Sequence, residues 1–366
     1  MGDLSRVDGA DQAVDAMKKV WHFYANRTNM GDWASALGVR QFLDAASSEP
    51  IEYVDHFLLD PVTNEEFDRM NQTADMVVIG GGGTWFRKDT PSGWMLNMRP
   101  ELLRSLRPPL AIFGVGLNDQ FDRTSDWSLD APSIANILET VDRACCVGVR
   151  DAWTLNWLRE QGVTNAKLAP CPSMLLECKA DSGARRSNLV GVNTVSTRMV
   201  RHPNRLLRLM SKTLARLCEN GFTPVYMCQG DAANDLTQAL HARFPGEMIV
   251  PKSPVDLLRA YGRVRFMIAM RAHSLLLAFN RDTPSFCISY NKKCESFLKL
   301  LEADAYRLDW DFGPVSVWNP RIHRTVWDGV QSLMAHENEI RSRWKDLRER
   351  FRVFCRDFAE EIVAAM

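Results

Sequence analysis

Short apolar runs, each ending in glycine or a polar residue and each followed by a stretch with helical spacing, recur along this 366-residue chain. Four to eight apolar residues in a row suit a strand buried on both faces, and a helix between consecutive strands makes those strands parallel. Residues 20–25, 51–57, 75–79, 109–116 and 145–149 form one such series, closed by a further strand ending over 167–173. Residues 179–188 are polar, carry glycine and lack any apolar period, so they read as a linker. The alternation then restarts at 189–193, 223–228, 248–250, 266–270 and 285–290. The chain is also longer than one hydrophobic core usually supports. We therefore expect two α/β domains, residues 1–178 and 189–330, each a doubly wound parallel sheet, facing each other across a cleft. In the remaining stretch, 331–366, Ile340, Trp344, Leu347, Phe351, Phe354, Phe358 and Ile362 step by three or four. That spacing predicts an amphipathic helix packing back onto the first domain.

In such sheets ligands bind past the carboxyl ends of the strands, where helix N-termini present free N–H groups and positive dipole ends. The expected strand ends carry Asn29 and Asp32, Gly80-Gly81-Gly82-Gly83-Thr84, Asn118, Arg150-Asp151, Ser173 and Arg271-Ala272-His273-Ser274. Gly31 permits a tight turn and Asp32 is the expected helix N-cap. Four glycines after a strand let backbone approach a ligand and offer N–H groups to an oxyanion. Their spacing is not the dinucleotide fingerprint, because Trp85 stands where its third glycine belongs, and no Gly-Lys-Ser/Thr follows for a P-loop. Arg271 supplies a fixed cation suited to carboxylate or phosphate, and His273 a group that exchanges a proton near neutral pH. With Arg150 converging from the other sheet, the pattern points to an anionic substrate undergoing proton transfer. An Arg paired with a core carboxylate and a His satisfied by backbone is the alternative reading of the same residues.

Lys and Arg total 45, as do Asp and Glu, for a formal net charge of zero. That balance argues against a broad phosphate-binding surface and hence against nucleic acid as a partner. The nine cysteines show no C-x-x-C spacing and are expected as reduced thiols, and no cluster suggests a metal. The polar, acidic start and the absence of any apolar run of about 18 residues predict a cytoplasmic protein without a leader or membrane span.

Asn29-Met-Gly-Asp32, the strand ending in Gly80 through Thr84, Gly114-Val-Gly116, Val149-Arg-Asp151, Arg271-Ala-His-Ser274 and residues 284–293 resemble, in order, the pattern of the polysaccharide pyruvyltransferases. The resemblance spans about residues 29–300, and its specificity lies in the ordered set. It implies a GT-B-like fold of two Rossmann-like domains, the first on the acceptor side and the second holding the anionic donor. It also implies transfer of a pyruvyl group from phosphoenolpyruvate to a sugar as a cyclic ketal. Phosphoenolpyruvate then acts as co-substrate, with no cofactor or metal, and Arg150, Arg271, Lys292 and Lys293 are the expected cations. His273 is the expected general acid and Asp32 the acceptor of a hydroxyl proton. Asn29, Gly81, Gly82, Gly83, Thr84, Asn118 and Ser274 are expected to contact substrate. One position departs from the pattern: Cys171-Pro172 stands where Asp-Pro is expected. Trp85, Trp94 and Trp127, in loops 84–98 and 119–128, stack on sugar or pack. The acceptor is a saccharide, free or lipid-linked. Contact of Arg341 through Arg356 with anionic lipid at the inner face of a membrane, and association with a second copy, are left open. A glycosyltransferase using a nucleotide sugar and a non-catalytic carbohydrate- or anion-binding protein are the alternatives on the same fold.

Overall fold

In the computed structural model the residues described are 17–118, 127–178, 187–230, 232–310 and 321–366. The lead-in, most of the linker and residues 119–126 of the expected pocket wall lie outside them. The described residues form two six-stranded parallel sheets. In the first, β1 (Lys18–Tyr24), β2 (Ile51–Phe57), β3 (Met76–Trp85), β4 (Leu110–Leu117), β5 (Ala144–Val149) and β6 (Lys167–Leu168) take the order β2-β1-β3-β4-β5-β6. Its helices are α1 (Met30–Ala46), α2 (Asn64–Thr73), α3 (Pro100–Arg104), α4 (Ala131–Arg143) and α5 (Ala152–Glu160).

The second sheet comprises β7 (Leu189–Asn193), β8 (Thr223–Met227), β9 (Glu247–Ile249), β10 (Phe266–Ala269), β11 (Ser285–Ser289) and β12 (Arg307–Asp309). Its order is β12-β11-β10-β7-β8-β9. Between its strands run α6 (Pro203–Glu219), α7 (Asp235–His241), α8 (Pro254–Arg263), α9 (Ala272–Asn280) and α10 (Lys292–Leu300). The near-continuous apolar runs of β3, β4, β10 and β11 are buried along nearly their whole length, as strands covered by helices on both faces must be. This is the GT-B-like arrangement of two Rossmann-like units. In each sheet the chain order reverses once, between β1 and β3 and between β7 and β10. Those switch points open crevices at the strand ends.

The tail is two helices, α11 (Ile322–Ala335) and α12 (Glu337–Ala364), so the boundary expected at residue 330 falls inside α11. Helix α11 covers α6 and β11, while α12 packs on α1 and β5 of the first sheet. Trp344 of α12 meets Phe279 of α9 edge-on at 5.3 Å, and Phe358 meets Phe113 of β4 at 5.1 Å. The helix thus crosses from one sheet's layer to the other's, and each aromatic it buries is worth about 1.5–3 kcal/mol of apolar transfer. The expected stripe needs one correction. Phe354 is 51% exposed and Cys355 is buried, because steps of four from Leu347 through Phe351 keep Cys355 on the packed face. All nine cysteines are free.

Candidate active site

A cavity of about 270 Å³ lies where the two switch points meet. From the first sheet it receives the start of α1, the end of β3 and Arg150. From the second it receives the starts of α9 and α10 and the end of β8. Helix α1 begins one turn earlier than a cap at Asp32 would place it. Asn29 is the N-cap, its Oδ1 accepting from the Gly31 N–H at 3.1 Å, and Asp32 sits in the first turn, lining the cavity. A Cβ on Gly31 would sit within the His273 ring, so glycine here lets α1 and α9 meet across the cleft.

The glycine tract is strand rather than loop. β3 stays paired to β4 at Gly82 and Trp85, with a register shift between them, and Gly81 and Gly82 have φ of +81° and +100°. The space the glycines leave is taken by protein. A Cβ would fall 2.6 Å from Ser35 Cβ at Gly81, 2.9 Å from Asp32 Oδ1 at Gly82 and 2.8 Å from Arg150 Nη1 at Gly83. Gly81, Gly82 and Thr84 are buried behind the cavity wall, and within the tract Gly83 alone reaches the cavity. Behind them Cys171, at the position of the expected Asp, contacts Ser35 Oγ at 3.1 Å and Ser173 Oγ at 3.2 Å. A contact of thiol with hydroxyls stands where a carboxylate is expected.

Arg150 is 1% exposed yet forms part of the lining. Its Nε donates to Asp151 Oδ2 at 3.1 Å, its Nη2 to the Leu117 carbonyl at 2.6 Å, and Phe297 of α10 lies 5.2 Å beneath it. The core ion pair and the site cation are therefore the same residue. From the second sheet, Arg271 is the residue before α9 and is held by the β7 end. Its backbone N–H donates to Asn193 Oδ1 at 3.2 Å and its Nε to the Thr194 carbonyl at 3.3 Å. Among the described residues neither Nη of Arg271 has a hydrogen-bond partner. Helix α9 also has no side-chain cap, so its first amides add anion-binding capacity beside Arg271.

Lys293 donates to Asn118 Oδ1 at 3.0 Å, and Asn118 donates in turn to the Gly83 carbonyl at 3.3 Å, which ties the two halves together. Besides Gly81, Gly82 and Thr84, two further expected contacts are not in the lining. Lys292 is exposed, one residue before the position that faces the cleft. Ser274 is buried and accepts from Gln229 Nε2 at 2.8 Å and from the Tyr261 hydroxyl at 2.9 Å.

His273 Nδ1 lies 3.8 Å from Asp32 Oδ1, and His273 Nε2 is buried with no hydrogen-bond partner among the described residues. Burial, then the charges of Arg150, Lys293 and Arg271, hold the imidazole well below its ordinary pKa, so the ring is neutral. Burial pushes the Asp32 carboxyl up to about 6, against the opposing pull of Lys293, Arg150 and Arg271. An acid poised near neutrality therefore sits beside a base whose protonation is suppressed by burial and, beyond that, by three cations.

Of the tryptophans, Trp85 and Trp94 are fully buried and pack. Trp127 stacks on Phe86 at 4.4 Å and 16° and lines the cavity. Gln229 and Lys88 also line it without having been singled out. Gln229 follows an apolar run as the other strand-end residues do, so the same rule could have found it. Its carbonyl accepts from Met30 N–H at 3.0 Å, joining β8 to α1. Lys88 and Phe297 carry no comparable signal.

Among the described residues, no group of three or more His, Cys, Asp or Glu is placed to hold a metal ion, and no helix is long and apolar enough to cross a membrane. The arginines of α12 are engaged within the protein. Arg341, Arg343, Arg348, Arg350, Arg352 and Arg356 each face a carboxylate within ion-pair distance. The face expected to meet lipid is thus largely neutralised.

Two Rossmann-like sheets with their surrounding helices place the protein in the GT-B-like class of α/β proteins. Solved structures with this fold include a Neisseria meningitidis UDP-GlcNAc 2-epimerase bound to UDP-GlcNAc, with a TM-score of 0.58 at 10% identity over 95% of this chain and 99% of that one. The Staphylococcus aureus MnaA structure with UDP gives 0.54 at 12% over 90% and 91%, and the Methanocaldococcus jannaschii UDP-GlcNAc 2-epimerase 0.54 at 12% over 86% and 92%. At such identities the likeness is one of fold. No curated protein matches the sequence significantly. The polysaccharide pyruvyl transferase family model matches residues 29–292, and the chain belongs to that family.

Proposed function

We propose that the protein transfers a pyruvyl group from phosphoenolpyruvate onto two hydroxyls of one saccharide, forming a ketal and releasing phosphate. The observation that carries this reading is the convergence of Arg150, Arg271 and Lys293 on the space beside the His273–Asp32 pair. Phosphoenolpyruvate brings a carboxylate and a phosphate to one small molecule, and a site for it needs several fixed cations.

Carbon 2 becomes electrophilic once the methylene carbon is protonated. Before substrate binds, burial and then the three cations keep His273 neutral. A bound dianion offsets their charge, so His273 takes up a proton as substrate binds and its Nε2, which has no hydrogen-bond partner among the described residues, donates that proton to the methylene. One sugar hydroxyl adds to carbon 2 and gives its proton to Asp32. The carbon–oxygen bond to phosphate breaks, and the second hydroxyl adds to close the ketal. Of the two hydroxyl protons released, one replaces the proton given to the methylene and the other leaves on phosphate, so the balance closes without a cofactor or metal.

The test is phosphate release from phosphoenolpyruvate across nucleotide-linked and lipid-linked sugars, with the product analysed for a ketal methyl group. Release that depends on acceptor supports the reading. Binding of a nucleotide sugar without binding of phosphoenolpyruvate would instead favour a glycosyltransferase.

A further inference from the structure

At the end of β5 remote from Arg150, two adjacent cysteines break the pattern of the strand. A free cysteine is ordinarily among the most buried of residues. Cys145 is nevertheless exposed and Cys146 half-buried, and both are free. In the pairing of β5 with β4, Leu110 faces Ala144 and Ala111 faces Cys146, so Cys145 is an extra residue without a partner in the ladder. Such a bulge interrupts the alternation of faces along a strand. Ala144 and Val147 belong to the core on one side of the sheet, whereas Cys146 packs against the core on the other. With Cys145 pointing away from Ala144's side, both cysteines stand on the same side. The strand on the other flank, β6, pairs with Gly148 and Val149, so among the described residues this end of β5 is an open edge.

We propose that Cys145 and Cys146 form a vicinal dithiol site that takes a soft, thiophilic trivalent metalloid such as arsenic or antimony, bridged between the two sulfurs. The sulfurs are in reach of each other. A hydrogen bond from Cys146 is the largest influence on the Cys145 thiol, holding it down to about 7, and Arg143 pulls the same way. The same contact, with burial, pushes Cys146 up. One sulfur is thus partly ionised near neutral pH and is the nucleophile of the pair. Cys145 Sγ also reaches the Leu110 carbonyl at 3.2 Å, which steadies it at the bulge.

Other uses of the pair fit less well. Adjacent Cα atoms lie about 3.8 Å apart, below the roughly 4.4 Å at which ordinary disulfides begin, so a direct S–S bond here is strained. An inserted atom relieves that strain. Structural zinc takes four ligands, and among the described residues no group of three or more His, Cys, Asp or Glu is placed to hold a metal. Monovalent copper favours two sulfurs in line, whereas a pyramidal trivalent centre takes them at a closed angle, as thiols already in contact require. With an arylarsenic oxide the step is a condensation. Two As–S bonds form, the oxygen leaves as one water carrying both thiol protons, and no electrons change hands.

The experiment uses the full chain with phenylarsine oxide, in competition with excess monothiol, and counts bound arsenic by native mass spectrometry. Cys145→Ser and Cys146→Ser remove one sulfur each, and Cys218→Ser, at an exposed cysteine elsewhere, is the control. We expect one phenylarsenic group per chain, released by a small dithiol, with affinity ~10²-fold or more lower in either serine variant of the pair, because the second As–S bond is intramolecular. Cys218→Ser should leave it unchanged. No retention against monothiol, equal retention in Cys145→Ser, or loss in Cys218→Ser would each overturn the site. Cys145→Ser alters an exposed side chain and decides the matter alone should Cys146→Ser fail to fold. The outcome is independent of phosphoenolpyruvate and of the reaction proposed for the cleft.

Discussion

The two sheets supply the same cleft by different means. The first sheet makes room: its glycines at 31, 83 and 116 leave the volume that His273 and Arg150 fill, and its cation is buried and bonded on two sides. The second sheet makes charge: Arg271 and Lys293 stand at helix N-termini on the cleft, and the start of α9 has no side-chain cap. A glycine-rich strand end therefore does not by itself mean backbone amides against a ligand. In this protein it signals side chains arriving from elsewhere. The comparison predicts that changes on the second side act on ligand and chemistry, and that changes on the first act also on the fold.

The largest effect is expected on the second side. His273→Asn or His273→Gln removes the proton donor while keeping some hydrogen bonding. Turnover should fall ~10²- to 10⁴-fold with a much smaller change in phosphoenolpyruvate affinity. Loss of affinity with turnover intact would make His273 a binding residue. Next, Arg271→Ala should weaken phosphoenolpyruvate binding by ~1.5–3 kcal/mol, read by calorimetry, with little change in melting temperature. Arg150→Ala should match that loss of binding and also destabilise the fold by ~3 kcal/mol or more, because Asp151 is left buried and unpaired. Equal thermal stability of the two variants would break the contrast between the sheets.

Asp32 sharpens the comparison through pH. Its carboxyl is raised to about 6 in the folded protein, from 3.8 ordinarily, so its contribution to stability is fully present below the unfolded value and is lost as pH rises through the folded one. Asp32→Asn should therefore raise the unfolding free energy by ~1–3 kcal/mol at pH 8, with the gain fading by pH 4, while abolishing transfer. A variant less stable than the parent at pH 8 would contradict this. The smallest effect concerns α12: with its arginines paired to carboxylates, vesicle co-sedimentation should change little as anionic lipid content rises. A steep rise would restore the lipid face.

The alternation of strands and helices was legible because a strand covered on both faces leaves an apolar run that few other structures need. The residues at the strand ends were legible for the same reason, and Asn29, Asp32, Asn118, Arg150, Arg271, His273 and Lys293 do meet in one cavity. What each residue does locally was less so. Asn29 and Asp32 are both good caps, and only the three-dimensional start of α1 shows that Asn29 caps and Asp32 is released to the cleft. The roles of the glycines depended on Ser35, Asp32 and Arg150 approaching from other elements. Phe297 beneath Arg150 is a contact across the cleft, which spacing along the chain does not encode.

The central claim is that an anionic substrate, by offsetting three cations, turns the His273 site into an acid. Calorimetric titration with phosphoenolpyruvate in buffers of different ionisation enthalpy, near pH 7.5, measures it directly. The account predicts uptake of about one proton per phosphoenolpyruvate bound, lost in His273→Asn. Tight binding with no proton uptake in the parent protein, or uptake unchanged in the variant, would contradict it.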